Sequence, residues 1–214
     1  MPIRPSRRRH LAALRAATVL AALLFTLPVW GVTTEAAAGA ALPPPLPSGS
    51  PNEPVAEVDL ARYTGVWHEV ARLPMFFQRN CVRDTTATYG PAAEGRLTVT
   101  NRCVTADGGV IDVSGIARPT ARAGALEVSF LPRVLSWLPI GWADYWIIDL
   151  DPEYRWAVVG GPSRNALWVL SREPAIDPAL LDRLRQRAEA RGYVLDTLIV
   201  AAGSAEPGTT DAMP

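Results

Sequence analysis

The chain has 214 residues, 49% of them apolar, with 21 basic and 21 acidic side chains, which is material for one well-buried domain plus tails. Lysine is absent and His68 is the one histidine after residue 40, which excludes lysine Schiff-base chemistry, histidine-cluster metal sites and most histidine-based triads. Past residue 40 there are 16 basic against 20 acidic residues, a weakly acidic body without the basic stripe that nucleic acid requires.

The chain opens with Arg4, Arg7, Arg8 and Arg9, an apolar run from Ala16 to Trp30, and small residues around Ala36–Ala40. Residues 1–40 therefore read as a signal segment, and the protein as exported to a periplasm or the exterior. Ser6-Arg7-Arg8-Arg9-His10-Leu11 resembles a twin-arginine export signal. Left uncleaved, the apolar run would serve as an N-terminal membrane anchor, although it is shorter than the ~20 residues a span needs. The two cysteines, Cys81 and Cys103, both lie past this segment, so none is placed for lipid attachment and the protein is not expected to be a lipoprotein. Residues 41–57 are rich in proline and serine and read as an extended, flexible linker. The domain spans 58–202, and 203–214 is a small, polar, disordered tail.

Within the domain, short strand-like runs alternate with turn signals, as in an all-β barrel or sandwich. Strands are predicted at 64–72, 84–89, 96–103, 110–118, 125–131, 143–150, 154–160 and 166–172. Leu97 and Val99 alternate with Thr98, Thr100 and Arg102, the pattern of a strand with one wet face. The runs holding Tyr145 to Ile148, Trp156 to Val159 and Leu167 to Leu170 are apolar on both faces and need cover outside as well as in. That cover is a helix, capped by Asp177, opened by Pro178, carrying Leu180, Leu181, Leu184 and Ala188 on one face and stopped by Gly192. A short strand at 194–201 follows.

Three motifs stand in order: Gly65-Val66-Trp67 on the first strand, Leu150-Asp151-Pro152 between the sixth and seventh, and Leu167 to Arg172 ending the eighth. Together they resemble the signatures of the lipocalin family, closest to its bacterial lipocalin and apolipoprotein D group, over about Val58 to Ala201. Asp149 to Tyr154 and Gly161 to Arg164 add to the likeness; the second signature departs from the family's Thr-Asp-Tyr, with only Asp151 matching. The resemblance implies an eight-stranded antiparallel up-and-down barrel with the helix packed outside. It also implies a carrier without cofactor or enzymatic activity, which stores or transports a hydrophobic ligand, a fatty acid or lysophospholipid, in cell-envelope lipid maintenance. In such a meander Gly65, Trp67, Asp151 and Arg172 meet at one closed end, where Arg172 lies across the Trp67 indole as a structural plug.

The same parity sends the connections after the first and fifth strands to the open end. Both are apolar, with Phe76 and Phe77 in one and Trp137 in the other, so they form either an inward-folded lid or a portal that touches a membrane or partner. Alternation from Trp67 carries Glu69, Trp168 and Leu170 inward. Asn101, Val128, Phe130, Tyr145, Ile147, Trp156 and Val158 are assigned to the same lining, with Tyr145 or Asn101 as the polar anchor for a ligand.

The hairpin turn at 90–95 centres between residues 92 and 93, and Cys81 and Cys103 centre on 92, so they face each other as a disulfide in an oxidising compartment. Two alternatives stand beside the carrier: a lipid-modifying enzyme using a cysteine thiol, and a membrane-docking interaction protein working through the Trp137 loop.

Overall fold

Asp59 opens the first regular element. Its carboxylate accepts from the Ala61 and Arg62 N–H groups and caps a one-turn helix, α1 (Leu60–Tyr63). There follow β1 (Gly65–Arg72), β2 (Arg83–Pro91), β3 (Leu97–Val104), β4 (Val110–Pro119), β5 (Ala125–Ser129), β6 (Ala143–Leu150), β7 (Trp156–Gly160), β8 (Trp168–Ser171), helix α2 (Pro178–Ala190) and β9 (Ile199–Val200). The computed structural model describes residues 41–132 and 140–202. The signal segment, the Trp137 part of the connection after β5 and the C-terminal tail lie outside the described residues.

Among the described residues every strand pairs antiparallel with its sequence neighbour from β2 to β8. β1 closes the cylinder by pairing with β8 on one edge and β2 on the other. The eight-stranded barrel expected from the resemblance is thus present, and β9 adds a two-residue pairing to the end of β1.

Two side-chain populations separate across the wall. Inside lie Trp67, Tyr89, Leu97, Val99, Leu126, Tyr145, Ile147, Val159 and Leu170. Outside, Val70, Ile148, Trp156, Val158, Leu167 and Val169 pack under α2 through Leu181, Leu184 and Ala188. Trp156 and Val158 therefore face the helix, contrary to the assignment from sequence. β7 is apolar on both faces, so its parity is set only by pairing: Ala157 stands opposite inward Leu170, and Val158 opposite outward Val169.

Two irregularities re-aim charged residues. The register shifts between Glu69 and Ala71, which leaves Val70 and Ala71 in the outer cluster and turns Arg72 to the inner face opposite Trp168. A second shift lies between Ile147 and Asp149. It turns Asp149 outward beneath α2, where the Arg187 guanidinium grips it at 2.6 and 3.0 Å and Arg191 approaches at 3.4 Å. Arg187 also donates to the Pro44 carbonyl. The 41–57 segment is extended but not free: Val55 donates to the Ile147 carbonyl, accepts from Gly124 and packs against the inner cluster, while the Asn52 amide donates to Gly161.

At the closed end the Arg172 guanidinium lies 3.8 Å above the Trp67 ring. It donates to the carbonyls of Arg62 and Val66, both at 2.8 Å, and Tyr154 at 3.2 Å. Gly65 sits beside it with φ +98°, and a Cβ there would meet Arg172 Nη1 at 3.2 Å, so both backbone and space call for glycine. Asp151 reaches the same end through the turn after β6. Burial pushes its carboxyl up, but the paired Arg155 guanidinium and N–H outweigh that and hold it below the usual aspartate value.

Arg172→Ala strands three carbonyls and removes the cation–π contact. It is expected to cost about 3 kcal/mol, read as a lower urea midpoint at unchanged slope. Arg172→Lys recovers less than half of that, because an ammonium cannot span three acceptors as a guanidinium does.

Candidate functional site

The inner wall divides along the barrel axis. Its closed half is filled: Tyr63 from α1, Trp67 from β1 and Tyr89 from β2 stack edge to face or tilted, with ring centroids 4.9 to 5.3 Å apart. The Trp67 indole N–H donates to the Tyr63 carbonyl at 2.8 Å. Tyr145, from β6, completes a chain of phenols, 2.7 Å from the Tyr63 hydroxyl and 2.8 Å from that of Tyr89. All three are buried, and desolvation raises each phenol above its ordinary value; Tyr89 adds to the rise at Tyr63, where the Tyr145 hydrogen bond offsets part of it, and both neighbours add to it at Tyr145. Tyr145 is thus inward as expected, but its hydroxyl is already committed to two neighbours.

The open half is different. Val113 on β4 stands opposite Asn101 on β3, two residues along from the pair Val99 and Gly115, so Val113 and Asn101 share the inner face with Val99. Phe130 packs where a Gly115 Cβ would project, 2.7 Å from that position, which places its ring on the inner face too. Yet Val113 is 43% exposed and Phe130 39%. Inward side chains that stay open to solvent mean that the described residues leave this part of the wall uncovered. Asn101, Val128, Phe130, Tyr145, Ile147, Trp168 and Leu170 are therefore brought to the inner face, and Trp156 is not.

Sequence reading missed Tyr63, Tyr89, Val113 and a polar cluster below the mouth. There Arg72 Nε lies 2.9 Å from Glu69 Oε1, with the two side chains 8% and 10% exposed. Gln78, from the connection after β1, donates to Glu69 Oε2 at 2.7 Å and accepts from the Trp168 indole at 3.0 Å. Burial pushes the Glu69 carboxyl above its ordinary value, and Gln78 and Arg72 only partly offset that. Glu69 and Arg72 are three residues apart, a spacing that straight-strand alternation places on opposite faces; the bulge puts them on one.

Gln78 ends a 3-10 turn, Phe76–Gln78, whose aromatic pair points outward: Phe76 is 80% and Phe77 58% exposed. The connection is pinned by the disulfide Cys81–Cys103, with Cα atoms 5.5 Å apart. The pairing expected from sequence is correct, but the hairpin geometry is not. Thr88 stands opposite Thr100 and Pro91 opposite Leu97, so the ladder centres on residue 94, and Cys81 reaches Cys103 from the chain ahead of β2. Both sulfurs are consumed, which leaves the thiol-enzyme alternative without a nucleophile. Among the described residues no group of three or more histidine, cysteine, aspartate or glutamate side chains is placed to hold a metal ion.

The family model of the lipocalin-like domain matches residues 58–203. Temperature-induced lipocalin-1 of Arabidopsis thaliana is 33% identical over 165 residues, covering 76% of this chain and 88% of the relative. Outer membrane lipoprotein Blc of Escherichia coli is 35% identical over 144 residues, covering 66% and 77%. Among solved structures, insecticyanin from the tobacco hornworm Manduca sexta superposes with a TM-score of 0.54 at 19% identity, over 73% of this chain and 87% of that one, a likeness of fold.

The buried phenols predict an alkaline limit. Because their folded-state values lie above that of unfolded tyrosine, the unfolded chain releases its protons first. Their contribution is complete below about pH 10 and is lost as pH rises through the folded-state range. Denaturation midpoints should fall from about pH 10 upward, with Tyr63, Tyr89 and Tyr145 showing phenolate absorbance only as the protein unfolds. Tyr145→Phe, which strands two buried hydroxyls, should lower stability at pH 7 by about 2 kcal/mol.

Proposed function

The chain belongs to the lipocalin family, whose members bind small hydrophobic ligands, and from that premise we propose that it is an exported carrier that stores or transports a single-chain lipid, a fatty acid or lysophospholipid, in its barrel. The observation that carries this reading is the accessible inner wall of the open half, where Val113 and Phe130 face inward yet remain open to solvent. An acyl chain laid along that wall meets Val113, Val128, Phe130 and Trp168, and its burial contributes about 0.8 kcal/mol per methylene. The filled closed half sets the depth of insertion.

A role in cell-envelope lipid maintenance is consistent with the likeness to outer membrane lipoprotein Blc. The anchoring differs in this reading: both cysteines of the chain are joined within the barrel, so export rests on the arginine-rich, apolar segment at 1–40. A second reading is favoured by Phe76 and Phe77. A lone exposed aromatic is ordinary, but two adjacent ones beside a ligand mouth fit insertion into a membrane from which lipid is collected.

Native mass spectrometry after gentle purification should show a bound lipid. A delipidated sample should bind a fluorescent fatty acid at one site per chain; a sample that carries nothing and binds nothing overturns the carrier. For the second reading, Phe76→Ser with Phe77→Ser should lower partitioning onto vesicles of phosphatidylethanolamine and phosphatidylglycerol at least tenfold, given about 1.5–3 kcal/mol for burying each ring.

A further inference from the structure

The cluster beneath the mouth places a cation beside a mainly apolar lining. Arg72 and Trp168 are register partners across β1 and β8, and Glu69 and Leu170 are the next inward pair. The hydrogen-bonding capacity of this cluster is uneven. Glu69 has both carboxylate oxygens engaged, by Arg72 and by Gln78. The Gln78 side chain is used at both ends. Arg72, with five N–H donors, commits Nε to Glu69 and reaches the Gln78 carbonyl only at 3.5 Å. What the cluster has to spare is donors beside a positive charge, so it is matched to an acceptor with negative charge.

We propose that Arg72 is the head-group receptor of the barrel, that it takes an anionic head on a single chain, and that Glu69 gates it by competing for the same guanidinium. The inference rests on the carrier reading and adds to it the charge of the head group and the residue that selects for it. With Glu69 ionised the guanidinium is already neutralised, and an incoming anion meets a carboxylate as well as a cation. When Glu69 takes a proton from solvent, Arg72 is left uncompensated and the anion replaces the carboxylate as its partner. Among the described residues, Arg72 is the charged group that contacts Glu69; its other polar neighbour is the neutral Gln78, and Leu170 stands opposite it.

Two consequences follow. Anion binding tightens as pH falls through the range in which Glu69 titrates, a range that burial already raises above the ordinary glutamate value. A bound anion raises it further, so that loading takes up a proton. Gln78 links this event to the rim, because the residue that bridges Glu69 and Trp168 closes the turn that carries Phe76 and Phe77.

The test uses the whole protein, delipidated, with two probes of equal chain length: dodecyl sulfonate, which stays ionised at every pH used, and dodecanol, which carries no charge. Calorimetric titration between pH 4.5 and pH 8, in two buffers of different ionisation enthalpy, reads affinity and proton uptake together. The wild type should bind the sulfonate more tightly as pH falls, with proton uptake, and dodecanol equally at all pH values. Glu69→Gln should bind the sulfonate about tenfold more tightly at pH 7, the effect of an interaction worth one unit of pKa, and should lose the pH dependence. The double variant Glu69→Gln with Arg72→Gln leaves no buried charge unpaired and should bind both probes alike. Sulfonate affinity that ignores pH in the wild type, or that survives undiminished in the double variant, overturns the proposal while leaving the carrier reading intact. Failure of the wild type to bind either probe overturns both.

Discussion

One guanidinium fixes the closed end of this barrel. Arg172 leaves β8 and holds carbonyls from α1, from β1 and from the turn ahead of β7, with the Trp67 indole stacked beneath it. Those segments are far apart in sequence and each brings a backbone acceptor that β-pairing does not satisfy. A planar donor with several N–H groups at fixed angles meets them together, and an aromatic face covers its remaining surface. Trp67 is in turn tied to α1 through the Tyr63 carbonyl. Position of helix, first strand and closing turn thus follows from one side chain.

That closure polarises the interior. Three phenols bonded in a chain stack above the plug and fill the floor. Toward the mouth the wall keeps inward side chains accessible, and the charged groups there are a carboxylate and a guanidinium in contact. In a low-dielectric setting neither charge is tolerated without the other, so the pair is neutral until something alters one partner. Desolvation raises both the phenols and Glu69, which moves the floor away from the physiological range and moves the carboxyl near the mouth toward it.

The outside is clamped by a different ion pair. Asp149, turned outward by the shift in β6, receives Arg187 and Arg191 from the end of α2, and Arg187 continues to the Pro44 carbonyl. Helix, barrel and the extended segment ahead of the barrel are joined there. Residues 41–57, composed like a spacer, are tied down there at Pro44 and again at Val55, whose bonds to Ile147 and Gly124 bring it against the inner cluster.

Much of this was legible in order along the chain. The motifs at Gly65 to Trp67, at Asp151 and at Leu167 to Arg172, the alternation in Leu97 to Arg102 and the capped helix from Asp177 each follow from local chemistry: φ sign, side-chain period, a carboxylate at a helix start. Placement at the two ends also followed, because parity in a meander is a count. Beyond the reach of sequence was whatever depends on register. Trp156 and Val158 lie on a strand apolar on both faces, so their side of the wall is set by what β7 pairs with. Arg72 joins Glu69 only because a bulge adds one residue between them, and Arg187 is buried only because Asp149 is turned to meet it. The sequence by itself determined the elements, their order and the end of the barrel each motif occupies, since those rest on neighbours in the chain. The tertiary structure alone decided which charges face inward and which partners they keep, since one residue of register reverses a side chain's face and no local pattern records where that residue is gained.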